Sequence, residues 1–136
     1  MSWNDRTVSP DEVLARIRPG MSIFLSTGGA EPRTLIKRLM ESDAPNLDDL
    51  ELVQLVSFGD AISVEELSTR KYRLKTFYSG GVAGEAITAG RVDLIPSRFS
   101  LIPRLLERQM IGIDVAFIKV TPPDSPRVRL WERGLA

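Results

Sequence analysis

Among its 136 residues the chain has no cysteine and no histidine. Without Cys there can be no disulfide framework, thiolate nucleophile or cysteine zinc site, a pattern that a reducing compartment allows. Without His, a Ser-His-Asp triad, imidazole metal ligation and histidine general-base catalysis are excluded within this chain. Any catalysis has to rest on carboxylates, Lys, Tyr, hydroxyls or backbone dipoles. Charge of one sign is not in excess either: Lys+Arg and Asp+Glu each number 18, which excludes an acidic tail protein and argues against a strongly basic nucleic-acid binder. The start, Met1-Ser2-Trp3-Asn4-Asp5-Arg6, lacks an apolar signal region. No apolar run approaches the roughly 18 residues of a membrane span. A cytoplasmic protein is expected, with no metal, no nucleic-acid partner and no membrane contact.

What is present fits one domain or a large part of one, since domains usually run to about 100–200 residues. Hydrophobic residues make up 43%, and a fold of this size buries roughly 68–70% of the surface its unfolded chain exposes, enough for an ordinary core. Ser9-Pro10-Asp11-Glu12 is a capping box with Pro at the first helical position. It predicts a helix with Val13, Leu14 and Ile17 on one face, stopped by Pro19-Gly20. Met21 to Ser26 reads as a buried strand. Glu31-Pro32 opens a second helix that buries Leu35, Ile36, Leu39 and Met40 and leaves Arg33, Lys37, Arg38 and Glu41 to solvent. After the turn Asn46 to Asp49, strands are predicted at Leu50–Val56, Arg73–Tyr78, Val92–Ile95 and Asp114–Val120. Helical stretches are predicted from Ser63, through Ala89 and over Leu101–Arg108. Strands separated by helices, with mostly apolar centres, imply an α/β fold with helices over a largely parallel sheet. Three prolines between Thr121 and Pro126 mark a change of character. The expected boundaries are a domain over 1–124 and a divergent tail over 125–136.

Two glycine turns, Thr27-Gly28-Gly29-Ala30 and Ser79-Gly80-Gly81, each end a predicted strand and precede a helix. In open α/β sheets that edge binds ligands, because free N–H groups there present partial positive charge. Both turns are candidates to hold a phosphate, carboxylate or thioester oxygen, although neither fits a Walker or dinucleotide fingerprint. Glu31 and Glu85 are the carboxylates nearest them; solvated positions explain Glu85 better than catalysis. Asp48-Asp49 and Glu65-Glu66 lack a third ligand at metal spacing and read as exposed turns or caps. Lys75 and Lys119 are expected to snorkel at a sheet end, and Tyr78 to pack in the core.

In order, these elements resemble the N-terminal part of the acetyl-CoA hydrolase/CoA-transferase family, which includes 4-hydroxybutyrate CoA-transferase-like enzymes. The matching segments are Ser9–Gly20, Thr27-Gly28-Gly29-Ala30-Glu31-Pro32, Leu52-Val53-Gln54-Leu55, Ala86–Pro96, Ser100–Leu105 and Ile113–Asp124. The resemblance implies a CoA-transferase-like fold, incomplete relative to the family, and transfer or hydrolysis of acyl groups. A coenzyme A thioester would be a substrate, with a carboxylate as its companion and no covalently bound cofactor. In related transferases a glutamate attacks the thioester, which divides a hard acyl transfer into easier steps while backbone donors stabilise the oxyanion. That chemistry needs no His, Cys or metal. From Ser125 onward the sequence matches nothing in the family, and no residue aligns with the nucleophile, so no catalytic residue is assigned. The implied partners are the family's missing C-terminal half or a second copy. An N-terminal half-domain inactive alone is the leading expectation. A non-catalytic module for an anionic or nucleotide-like ligand, and a vestigial structural fragment, are the alternatives.

Overall fold

The computed structural model describes residues 7–56, 62, 71–80 and 82–121. The helix predicted from Ser63, the residues Glu65, Glu66 and Gly81, and the tail 125–136 lie outside them. Helix α1 (Pro10–Leu14) starts as its sequence dictates. The Ser9 hydroxyl accepts the Glu12 amide at 3.2 Å and the Glu12 carboxylate accepts the Ser9 amide at 2.8 Å, closing the capping box. The helix is shorter than the predicted run to Ile17. Its end is fixed from outside, by the Asn46 side-chain amide donating to the carbonyls of Leu14 and Ile17 at 3.0 Å each. Leu14 and Ile17 are buried as expected.

Strand β1 (Ser22–Leu25) is followed by a tight turn and by α2 (Arg33–Glu41). Ile36 and Leu39 of α2 are buried, Leu35 and Met40 half-buried, and Arg33, Lys37, Arg38 and Glu41 exposed, the amphipathic stripe read from the sequence. Then come β2 (Leu50–Gln54), β3 (Tyr72–Thr76), α3 (Val82–Thr88), β4 (Val92–Leu94), α4 (Ile102–Glu107) and β5 (Val115–Phe117). Gly90, with φ +70°, ends the α3 segment in a left-handed conformation that glycine adopts without strain. Pro103 sits in the first turn of α4, where no hydrogen bond is lost.

All five strands are parallel, in the order β4-β3-β2-β1-β5. The register Leu25↔Gln54 and Gln54↔Thr76 aligns the C-terminal ends of the three central strands. One face carries Ile23, Leu25, Leu50, Leu52, Tyr72, Leu74 and Phe117 into a core completed by Leu14, Ile36, Leu39 and Ala86. Complete burial of each aliphatic side chain is worth about 1.5–3 kcal/mol, so this face supplies most of the driving force. The other face holds a smaller cluster of Val53, Phe77 and Ile102, with α4 packed over it. Tyr78 departs from expectation. It lies just past β3, is 47% exposed, and takes no part in the core, because the strand has ended and the chain has left the sheet.

Candidate functional site

Parallel pairing places every strand's C-terminal end on one edge, so the segments after β1, β2, β3 and β5 converge there. The chain steps from β1 to β4 in one direction and then returns to lay β5 on the opposite side of β1. Such a reversal of strand order marks the usual ligand crevice of an open α/β sheet. The two glycine turns follow β1 and β3, two strand spacings or about 10 Å apart, and the end of β2 lies between them.

The first turn is held by main-chain bonds. Gly28 has φ +63°, in the left-handed region that favours glycine. The Ala30 amide donates to Thr27 O at 3.3 Å and the Glu31 amide to Gly28 O at 3.1 Å. Ser26 ties the turn to β5: its amide donates to Phe117 O at 3.1 Å, and its hydroxyl shares one proton between Ala30 O and Phe117 O. The Lys119 amide adds a bond to Ala30 O at 3.3 Å. Thus the crevice between β1 and β5 is bridged by backbone, with a small pocket of about 270 Å³ beside it, lined by Glu31, Pro32, Arg33, Thr34, Leu35 and Lys119.

At the second turn, the Thr76 hydroxyl accepts the Tyr78 amide at 3.4 Å and lies 3.3 Å from Tyr78 O. The Tyr78 ring covers Gly80 so closely that a Cβ there would overlap it. Thr27, Gly28, Gly29, Ala30, Ser79 and Gly80 therefore share one edge; Gly81 lies outside the described residues.

Glu31 is only 8% exposed. One carboxylate oxygen accepts the Arg33 Nε at 3.3 Å and the other accepts the Gln54 side-chain amide at 3.4 Å. Gln54 itself is 1% exposed and its Oε1 has no hydrogen-bond partner among the described residues. Rotating the amide would turn that oxygen against the Glu31 carboxylate, so the acceptor gains no described partner in either orientation. Beside it in register stands Thr76, fully buried. At the last rung of this leucine-rich face, β2 and β3 therefore carry polar side chains beside Leu25 of β1. Sequence reasoning missed Gln54 and Thr76 as site residues. The signal was present in the inward-facing series Leu50, Leu52, Gln54 and Tyr72, Leu74, Thr76, each polar at its final member.

The family model for the acetyl-CoA hydrolase/transferase N-terminal domain matches residues 1–128. The chain belongs to this acetyl-CoA hydrolase/transferase family. Among its relatives, a succinyl-CoA:acetate/propanoyl-CoA:succinate CoA transferase of Fasciola hepatica is 34% identical over 121 residues, covering 85% of this chain and 24% of that protein. A 4-hydroxybutyrate coenzyme A transferase of Clostridium kluyveri is 26% identical over 123 residues, covering 90% of this chain and 28% of that one. The solved structure of RipA from Yersinia pestis superposes with a TM-score of 0.70 at 25% identity, over 88% of this chain and 30% of RipA. A RipA variant gives 0.73 at 24% identity. The chain thus spans 24–30% of the length of these relatives.

Within this N-terminal domain the remaining polar candidates do not join the Glu31–Gln54 pair, although Glu85 stays near the second turn, where a Cβ on the neighbouring Gly84 would lie 3.0 Å from Ser79 O. Glu85 is exposed in the first turn of α3. Asp48 and Asp49 are exposed, and Asp49 pairs with Arg73 at 3.2 Å. Lys75 bonds Glu51 across the β2–β3 pair at 2.7 Å, half-buried on the less covered face of the sheet. No group of three or more His, Cys, Asp or Glu side chains suited to a metal occurs among the described residues. No described helix is long and apolar enough to cross a membrane.

Proposed function

We propose that the chain supplies the N-terminal part of an acetyl-CoA hydrolase or acyl-CoA:carboxylate CoA-transferase of short-chain acyl metabolism. Coenzyme A thioesters and carboxylates are its substrates, and it is inactive alone. The observation that carries this reading is the family match over residues 1–128 on a fold whose two glycine turns stand on one sheet edge. Thr27 to Ala30 and Ser79 to Gly81 form one wall of the acyl or carboxylate pocket, facing the part of the family's sequence that carries the attacking glutamate. The domain is assigned to residues 1–124, with 125–136 divergent in sequence, and the protein works in the cytoplasm.

The buried Glu31 carboxylate lies directly beside the first turn, so its charge bears equally on this reading and on the alternative of a free-standing anion-binding module. In the proposed reading that charge is held by Gln54 and Arg33 and shapes the turn without entering the chemistry. The test is a chimera in which residues 1–124 replace the matching segment of the Fasciola hepatica CoA transferase. A folded chimera is expected to transfer coenzyme A between acetate and succinyl-CoA, and to lose most of that activity on Gly28→Val. A chimera with native circular dichroism and no transfer would refute the reading.

A further inference from the structure

Tyr78 stands directly before the second glycine turn, half-exposed just past the end of β3. Phe77, one residue earlier, is buried with Val53 and Ile102 on the second sheet face. The fully buried Thr76 hydroxyl holds the Tyr78 main chain on both sides, accepting its amide at 3.4 Å and lying 3.3 Å from its carbonyl oxygen. With its backbone fixed in this way, the ring moves only about its own side-chain torsions, and it rests on Gly80. A Cβ built on Gly80 would lie 2.6 Å from the phenol oxygen, which sets the hydroxyl over the glycine itself. The hydrogen bonds of Tyr78 belong to its main chain; the phenol has no partner among the described residues. Packing on Gly80 would be served equally by phenylalanine, so the ring accounts for the glycine and leaves the hydroxyl unexplained.

We infer that Tyr78 is a substrate-binding residue whose phenol O–H donates to an oxygen of a small carboxylate seated at Gly80. The inference rests on the proposed reading of this edge as a wall of the carboxylate pocket, and adds a side-chain donor to that wall. A phenol is donor and acceptor in one group, and a bond from it to an ionised oxygen is shorter and stronger than one to a neutral oxygen. The site therefore favours a carboxylate over an uncharged amide of the same shape. Gly80 has two parts in this arrangement. Its missing side chain leaves room for the ring, and the ring in turn fixes where the hydroxyl stands.

The test follows backbone amide resonances of the full chain during titration with acetate and, separately, with acetamide. Acetate is expected to shift the Gly80 amide saturably in the millimolar range. Tyr78→Phe keeps the ring on Gly80 and the unfolding midpoint, and is expected to weaken acetate about tenfold or more while changing acetamide binding little. Gly80→Ala, whose Cβ displaces the ring, is expected to lose as much. The double variant should lose no more than either single one, because both changes break one contact. Acetate bound equally well by Tyr78→Phe overturns the inference, as do additive losses in the double variant. Acetate that shifts the Gly28 and Gly29 amides and leaves Gly80 in place also overturns it, while the pocket reading stands. No shift at any of the three glycines overturns the inference together with the reading of this edge as a pocket wall.

Discussion

Replacing Gln54 by leucine tests the polar rung at the sheet edge. The wild-type fold buries an amide oxygen with no partner among the described residues, a burden of about 1–3 kcal/mol that leucine removes. Leucine also continues the apolar series of Leu50 and Leu52. Against this stands the loss of the Gln54–Glu31 bond. A hydrogen bond to a charged group contributes about 1.5–3 kcal/mol, but at 3.4 Å this one belongs at the low end. Glu31 keeps Arg33, whose side chain is 70% exposed, so that pair adds little. The opposing effects leave Gln54→Leu within about 1 kcal/mol of wild type. Gln54→Ala loses the same bond and leaves a void, and is expected to cost about 2–4 kcal/mol. Urea unfolding of the three proteins measures both values, provided that the slopes agree. A loss above about 3 kcal/mol for Gln54→Leu would mean that the amide oxygen is satisfied in the folded protein, and would refute the argument.

Other outcomes follow from the same geometry. Leu52→Ala, in the fully buried centre of the core, is expected to cost about 2–5 kcal/mol by thermal or urea unfolding. Gly28→Ala forces an L-residue to φ +63° and is expected to cost about 1–2 kcal/mol, whereas Gly29→Ala meets open space at an ordinary φ and should change stability by less than half as much. The Ser9 backbone amide, then its hydroxyl, hold the Glu12 carboxyl below its ordinary value. A lowered folded-state value contributes stability above the unfolded value of about 4.3 that is lost as pH falls through the folded one. Amide protection in α1, taken against the intrinsic exchange rate at each pH, should therefore fall on acidification before that of β2, and Ser9→Ala should remove the difference.

Much of the fold was legible because its signals are local. The capping box at Ser9, the stripe of α2 and the apolar strands each follow from side-chain period and terminal chemistry. Parallel pairing was legible from alternation of strands and helices, and both glycine turns fell where a parallel sheet must collect its loops. The strand order was not, since the placement of β5 beside β1 depends on a long return through α4 that no local pattern encodes. Tyr78 was misread because an aromatic after an apolar strand favours burial only while the strand continues. Gln54 was passed over for the opposite reason: within a run of aliphatic residues its partner, Glu31, lies 23 positions away, a distance at which period carries no information. Family resemblance added what physics alone did not, the class of chemistry, and it rested on ordered segments rather than on any single motif.

The proposed role makes this chain the N-terminal part of a CoA-transferase or hydrolase that does no acyl chemistry alone. It is tested most directly by incubating the purified chain with acetyl-CoA, with and without succinate, and following release of free coenzyme A and formation of succinyl-CoA. No turnover above the buffer blank is predicted under either condition. Turnover within the ordinary enzymatic range of about 1–10³ s⁻¹, abolished by Glu85→Gln or Glu31→Gln, would contradict it.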